Sequence, residues 1–235
     1  MAFSDEALTR LRADAAEIVG RYPRARSALL PLLHLVQAEE GYVSDDGIAF
    51  CAEVLGITAT EVTGVATFYT MYKHSPAAEY QVGVCTNTLC AIMGGDQIYS
   101  ELVSHLGGDQ HGASNHGASN HGASGHGEIK SADGKVGVER IECNAACDFA
   151  PVVMVNWEFF DNQTPQSAKK LVDDLRSGAP VRPTRGPRRL CTWKEASRVL
   201  AGFGDGQAAD GPTAGPASLV GLEIAKERDW EAPRP

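Results

Sequence analysis

No stretch of this 235-residue chain approaches the roughly 18 apolar residues that a membrane-spanning helix needs; the longest candidate, 28–36, is broken by Pro31 and His34. Direct membrane insertion is therefore not expected. Positive charge is scarce as well. Thirty Asp and Glu stand against 21 Lys and Arg, for a formal charge of −9, which disfavours a general nucleic-acid binder. The opening residues, Met-Ala-Phe-Ser-Asp-Glu, carry neither the charged-then-apolar profile of a secretory signal nor the Arg-rich profile of a transit peptide. That points to a reducing cytoplasm, where six cysteines call for a use other than structural disulfides. Several catalytic patterns are missing too. No G-x-G-x-x-G follows a strand to open a helix, no G-x4-G-K-S/T occurs, and local motifs assign no Ser/His/Asp set or carboxylate pair. The chain has no evident substrate site of its own.

What is present is enough apolar residue, 43%, to bury one or two domains. Residues 1–77 read as a helical bundle. Ser4 precedes an acidic first turn, and Ala7, Leu8, Leu11, Ala15 and Ile18 make one stripe that ends near Gly20. A second helix is predicted over 27–40 with Gly41 as its stop, and a third opens at Ser44 and ends at Gly56. Thr58-Ala-Thr-Glu61 has the capping-box form and should start a fourth helix running through Val62, Val65 and Tyr69.

From residue 80 the period changes. Tyr80-Gln-Val-Gly-Val84 alternates as a strand and ends at Cys85; a helix over 91–106 follows, then strands over 136–141 and 152–155 and a helix over 163–177. The fold class is thus α+β, with a compact α/β domain over 78–177. A repeat of His-Gly-Ala-Ser-Asn type occupies 111–127 and reads as a tolerated low-complexity insertion, despite its four histidines. The tail, 178–235, is rich in Pro, Gly and Ala and reads as an extended, partner-binding segment with short amphipathic pieces near 192–200 and 217–227.

Four cysteines form two pairs, Cys85-x4-Cys90 and Cys143-x3-Cys147, while Cys51 and Cys191 stand alone. A C-x-x-C exchange motif is absent. Four thiolates over two unequal, longer loops suit the two tetrahedral irons of a 2Fe-2S cluster, whereas structural zinc more often uses tighter spacings. The spacing leaves zinc and unligated thiols open as alternatives. Cys51, on an apolar helix, reads as a small buried hydrophobe, and Cys191 as an unligated thiol.

Three motifs together resemble a known family: Gly64-Val-Ala-Thr-Phe-Tyr-Thr-Met-Tyr72, Val84-Cys-Thr-Asn-Thr-Leu-Cys90, and Glu142-Cys143 through Cys147-Asp-Phe-Ala-Pro-Val-Val-Met-Val-Asn156. They resemble the NuoE-type subunit of respiratory NADH:quinone oxidoreductase, a thioredoxin-like 2Fe-2S ferredoxin family shared with NAD-linked hydrogenases and formate dehydrogenases. The resemblance implies a helical region followed by a thioredoxin-like domain holding one 2Fe-2S cluster through Cys85, Cys90, Cys143 and Cys147. It implies a partner subunit that binds FMN and NADH, a further iron-sulfur subunit in the same peripheral arm, and a place on the cytoplasmic side of the plasma membrane. The chain alone would be a one-electron carrier within an oxidoreductase complex, of the respiratory type or of a soluble NAD-linked hydrogenase or formate dehydrogenase. A zinc-stapled interaction module is the rival reading. One departure stands out: the family's second loop resembles C-x-G-x-C, and this chain has Ala145 where glycine is usual.

Overall fold

The computed structural model describes residues 3–107, 128–207 and 210–231. The insertion at 111–127 lies outside these residues. Helix α1 (Asp5–Gly20) starts where Ser4 accepts a hydrogen bond from the Ala7 N–H, and buries Ala7, Leu11, Ala15 and Ile18 on one face. Helix α2 (Leu29–Glu40) follows a 3-10 turn and stops at Gly41, whose φ of 88° only glycine adopts freely. Helix α3 (Asp45–Leu55) is capped by Ser44, and α4 (Ala59–Ala66) by the reciprocal Thr58 and Glu61 bonds. The fourth helix ends at Ala66, earlier than the expected Tyr69. Beyond it the chain turns inward to bury Tyr72, whose hydroxyl donates to the Leu30 carbonyl at 3.0 Å.

Five strands form one sheet in the order β2-β3-β1-β4-β5: β1 (Tyr80–Cys85), β2 (Ile129–Lys130), β3 (Val136–Ile141), β4 (Val153–Val155) and β5 (Glu158–Phe160). Strands β1 and β3 run parallel, and the other pairings are antiparallel. The two-residue alternation of side chains gives the sheet two different faces. Val82, Val84, Val136, Val138, Val153 and Val155 point to a core shared with α6 (Gly95–His105) and α7 (Pro165–Ser177). Cys85, Val152 and Met154 instead join a second apolar cluster with Cys90, Ala146 and Ala150. Strands β2 and β5 were not expected, being only two and three residues long and thus too short to show a period.

The helix expected over 91–106 is two helices. A short α5 (Thr88–Ile92) carries Cys90, and Gly94, at a φ of 112°, breaks the chain before α6 begins. The break follows from crowding. A Cβ at Gly95 would overlap the Cys85 carbonyl oxygen and sit 2.9 Å from that of Cys90.

Helices form where the two short amphipathic pieces of the tail were expected, and the first of them folds back onto the helical region. Helix α8 (Trp193–Leu200) packs on α2. Trp193 is buried and its indole N–H donates to the Gly41 carbonyl at 2.9 Å, while Ala201 enters the core of the helical region. Burial of a large aromatic outweighs the ordering of a short segment. The buried Gln37 side chain joins these parts, donating to the Met71 carbonyl and to Ser197 Oγ and accepting from the Lys73 N–H. Asn156 does the same on the sheet side: its Oδ1 accepts from the Gln81 N–H, and its Nδ2 donates to the carbonyls of Glu79 and Cys191. The last helix, α9 (Pro216–Glu227), behaves differently. Leu219, Val220, Leu222 and Ile224 are all exposed.

Candidate functional site

Cys85 is the last residue of β1, where its N–H donates to the Val152 carbonyl at 3.1 Å. Cys90 follows in α5, and both side chains are buried. The loop between them is tied to the end of β3 by Asn87, whose Nδ2 donates to the Ile141 carbonyl at 3.2 Å. That anchor sets where the second loop must begin. Cys143 lies two residues beyond β3, and Cys147 opens a 3-10 turn, Cys147–Phe149. Both are exposed, and their Sγ atoms are 3.9 Å apart.

The four cysteines line one small pocket together with Asn144, Ala146 and Val152. All four candidate ligands named from the sequence are therefore brought together. Neither Cys51 nor Cys191 lines this pocket. Cys51 is sealed in the helical core, where burial pushes its thiol up to about 12 and makes it unreactive. Cys191 lies 3.4 Å from Asp205 Oδ2, and burial and that carboxylate raise its thiol to about 11.

Burial raises the Cys90 thiol to about 11, against the lowering influence of the Val152 backbone; the neighbouring Cys85 and Cys147 push it up further. Cys147 is held above the ordinary thiol range first by Cys143, and also by Cys85 and Asp148. Cys90 and Cys147 thus feel the charge that their neighbouring cysteines would carry as thiolates. Ionising such a set is unfavourable unless cations replace the protons, which is what a cluster of two irons does. Among the described residues, no group of three or more His, Cys, Asp or Glu side chains stands in an arrangement that would itself hold a metal ion.

The second loop carries the departure at Ala145. Its φ is 54°, the left-handed conformation that glycine adopts without strain, and in that conformation its N–H donates to Cys143 Sγ at 3.4 Å. The backbone demand is therefore present although the glycine is not. Gly95, Val152 and Asn87 are the supporting residues that sequence reasoning missed. The Gly94-Gly95 dipeptide just after Cys90 was the available signal for a tight break.

A family model described as thioredoxin-like 2Fe-2S ferredoxin matches residues 15–176. The chain is 53% identical over 233 residues to the E-type subunit of NADH-quinone oxidoreductase from Mycobacterium tuberculosis, and equally to that from Mycobacterium bovis, covering 98% of this chain and 85% of theirs. It is 33% identical over 165 residues to NADH-quinone oxidoreductase subunit 2 of Thermus thermophilus, covering 69% of this chain and 82% of that one. Among solved structures, an NAD+-reducing NiFe-hydrogenase in the H2-reduced state superposes with a TM-score of 0.51 at 17% identity, over 65% of this chain. This chain spans only 22% of that hydrogenase chain, and the likeness is one of fold.

Proposed function

The chain belongs to the thioredoxin-like 2Fe-2S ferredoxin family, and from that premise we propose that it is the electron-transfer subunit of an NADH:quinone oxidoreductase. In this reading Cys85, Cys90, Cys143 and Cys147 hold one 2Fe-2S cluster. The observation that carries the reading is that these four cysteines, and neither of the other two, line one pocket at the end of the sheet. When bound, the cluster supplies a site that stores and passes single electrons.

The chain's own groups prepare that site. The N–H of Ala145 donates to Cys143 Sγ and so stabilises negative charge on that sulfur, and the Val152 backbone lowers the Cys90 thiol in the same sense. Asp148, beside Cys147, opposes added negative charge. Cys85 and Cys90 are shielded by the apolar cluster that includes Met154 and Val152, whereas Cys143 and Cys147 open to solvent. A partner that exchanges electrons would approach on that exposed side.

The partner is proposed to be the subunit that binds FMN and NADH. A flavin gives up electrons in pairs, so a neighbouring one-electron site can hold one of each pair. A further iron-sulfur subunit of the same peripheral arm completes the assembly, on the cytoplasmic side of the plasma membrane. Among the described residues no single helix is long and apolar enough to cross a membrane. The proposed units are a helical region over 1–77, the cluster domain over 78–177 and a tail over 178–235. The exposed Leu219, Val220, Leu222 and Ile224 of α9 support contact between that tail and a neighbouring subunit.

The likeness of fold to an NAD+-reducing hydrogenase favours a second reading, the same cluster role in a soluble NAD-linked enzyme. Copurifying membrane subunits would select the first reading, and a hydrogenase or formate dehydrogenase subunit the second. The cluster itself is tested by anaerobic purification with iron, sulfide and zinc analysis, then low-temperature EPR after dithionite reduction. Two irons and two sulfides per chain with a one-electron signal are expected. One zinc with no sulfide and no signal would make the chain a structural module.

A further inference from the structure

The six cysteines differ sharply in access. Cys51, Cys85, Cys90 and Cys191 are buried, and only Cys143 and Cys147 are exposed. Those two face each other with their sulfurs 3.9 Å apart, while a disulfide needs about 2.05 Å. The segment between them, 144–146, has no helix or strand to break, and Cys147 sits at the very start of its 3-10 turn. Ala145, at a φ of 54°, folds the loop back on itself, and its N–H donates to Cys143 Sγ at 3.4 Å. Approach is thus already organised, and the remaining closure falls on a short irregular loop.

We propose that Cys143 and Cys147 form a thiol-oxidation site, closing to an intrachain disulfide in the cluster-free chain when a low-molecular-weight disulfide such as oxidised glutathione is the oxidant. One thiolate of the pair attacks the glutathione disulfide, forming a mixed disulfide and releasing one glutathione thiolate. The second thiolate of the pair then attacks the bound cysteine sulfur, forming the Cys143–Cys147 bond and releasing the second glutathione. The two cysteine thiols lose two protons and two electrons, and two molecules of reduced glutathione carry them away. The bridge itself does not depend on the cluster reading; its consequence does. If these cysteines are cluster ligands, the bridged chain has only two of its four thiolates left and must be reduced before it can be loaded.

The test uses the full-length, reduced, cluster-free chain. After exposure to oxidised glutathione the free thiols are alkylated, and peptides are mapped by mass spectrometry without reduction. A Cys143–Cys147 bridge forming before any other, with four cysteines still alkylated, is the expected result. A stable glutathione adduct on either residue of the intact pair, a bridge between Cys85 and Cys90 first, or six alkylated cysteines would overturn the proposal. In C143S, Cys147 should instead accumulate as the glutathione adduct, and an unmodified Cys147 would count equally against it. Iron and sulfide are then added to the bridged chain with and without dithiothreitol. Loading only with the dithiol supports the gate, and equal loading without it removes the gate. If the bridge forms but C143S loads as fully as the unaltered chain, the ligand reading fails while the oxidation site stands.

Discussion

Cys85 and Cys90 come to the pocket from a central strand and a helical turn and are buried there, whereas Cys143 and Cys147 come from an irregular loop and are exposed. The first pair is placed by the fold itself. Strand β1 hydrogen-bonds on both sides, to β3 and β4, and α6 presses Gly95 against the carbonyls of both cysteines. The second pair is placed by local backbone, through the left-handed Ala145 and the anchor that Asn87 makes on Ile141. A buried pair protects the site from solvent, and an exposed pair gives it an outlet. Electron exchange with another chain needs both.

The largest effect should come from removing a ligand from the exposed side. Cys147→Ala is expected to abolish the visible and EPR spectrum of the 2Fe-2S cluster, while Cys191→Ala, which touches no wall of the pocket, leaves it intact. Equal loss in both would overturn the ligand assignment and the comparison with it.

Acid provides a second, smaller effect, and its origin lies outside both pairs. His34 is buried in the helical region against the Tyr72 ring, and its Nδ1 has no hydrogen-bond partner among the described residues. Burial lowers its pKa from 6.5 to about 4. The unfolded chain therefore binds the extra proton between those values, so stability is full above pH 6.5 and falls as pH drops toward 4. The loss should be about 3 kcal/mol by the linkage between pKa and stability. Urea unfolding of the cluster-free chain at several pH values checks this, with His34→Phe as the control that should flatten the slope. An unchanged slope in that variant would move the acid-sensitive group elsewhere.

How much of this was readable from the sequence follows the same division. Helices α1 to α4 were legible because Ser4, Ser44 and Thr58 announce their starts and Gly41 and Gly56 their stops. That four of the cysteines belong together was legible because only those four fall in short-spaced pairs, and they line one pocket. The break between α5 and α6 was not, since the apolar period continues across Gly94 and Gly95 and only the crowding of the Cys85 and Cys90 carbonyls explains it. Nor was the return of α8 onto α2. Trp193 advertises a large apolar surface but not the partner that covers it. Contacts between residues 152 positions apart leave no local signature.

Gly95→Ala addresses the buried pair directly. The added methyl meets backbone oxygen atoms, which cannot swing aside as a side-chain end would, so helix α6 or the cysteine loop must shift. A loss of about 1–3 kcal/mol is expected, as for overpacking a core, together with a fall in iron bound per chain. Unaltered stability and iron content would mean that the first pair is not held by this close approach, and that the two pairs differ less than their burial suggests.

The smallest effect belongs to the exposed pair and runs in the opposite direction. At Ala145 the left-handed backbone costs a residue with a Cβ about 1–2 kcal/mol. Ala145→Gly removes that strain, but it also frees the unfolded chain, which offsets about 0.4–1 kcal/mol of the gain. The balance is a net stabilisation on the order of 0.5–1 kcal/mol, with the N–H to Cys143 Sγ retained because it is main chain. Chemical denaturation of the reduced, cluster-free chain resolves a difference of that size. A stabilised variant with full cluster content would establish that the loop needs the conformation and not the methyl group. A destabilised one would mean that the Ala145 side chain contributes packing which the left-handed backbone strain conceals, and that the second pair, like the first, depends on its surroundings.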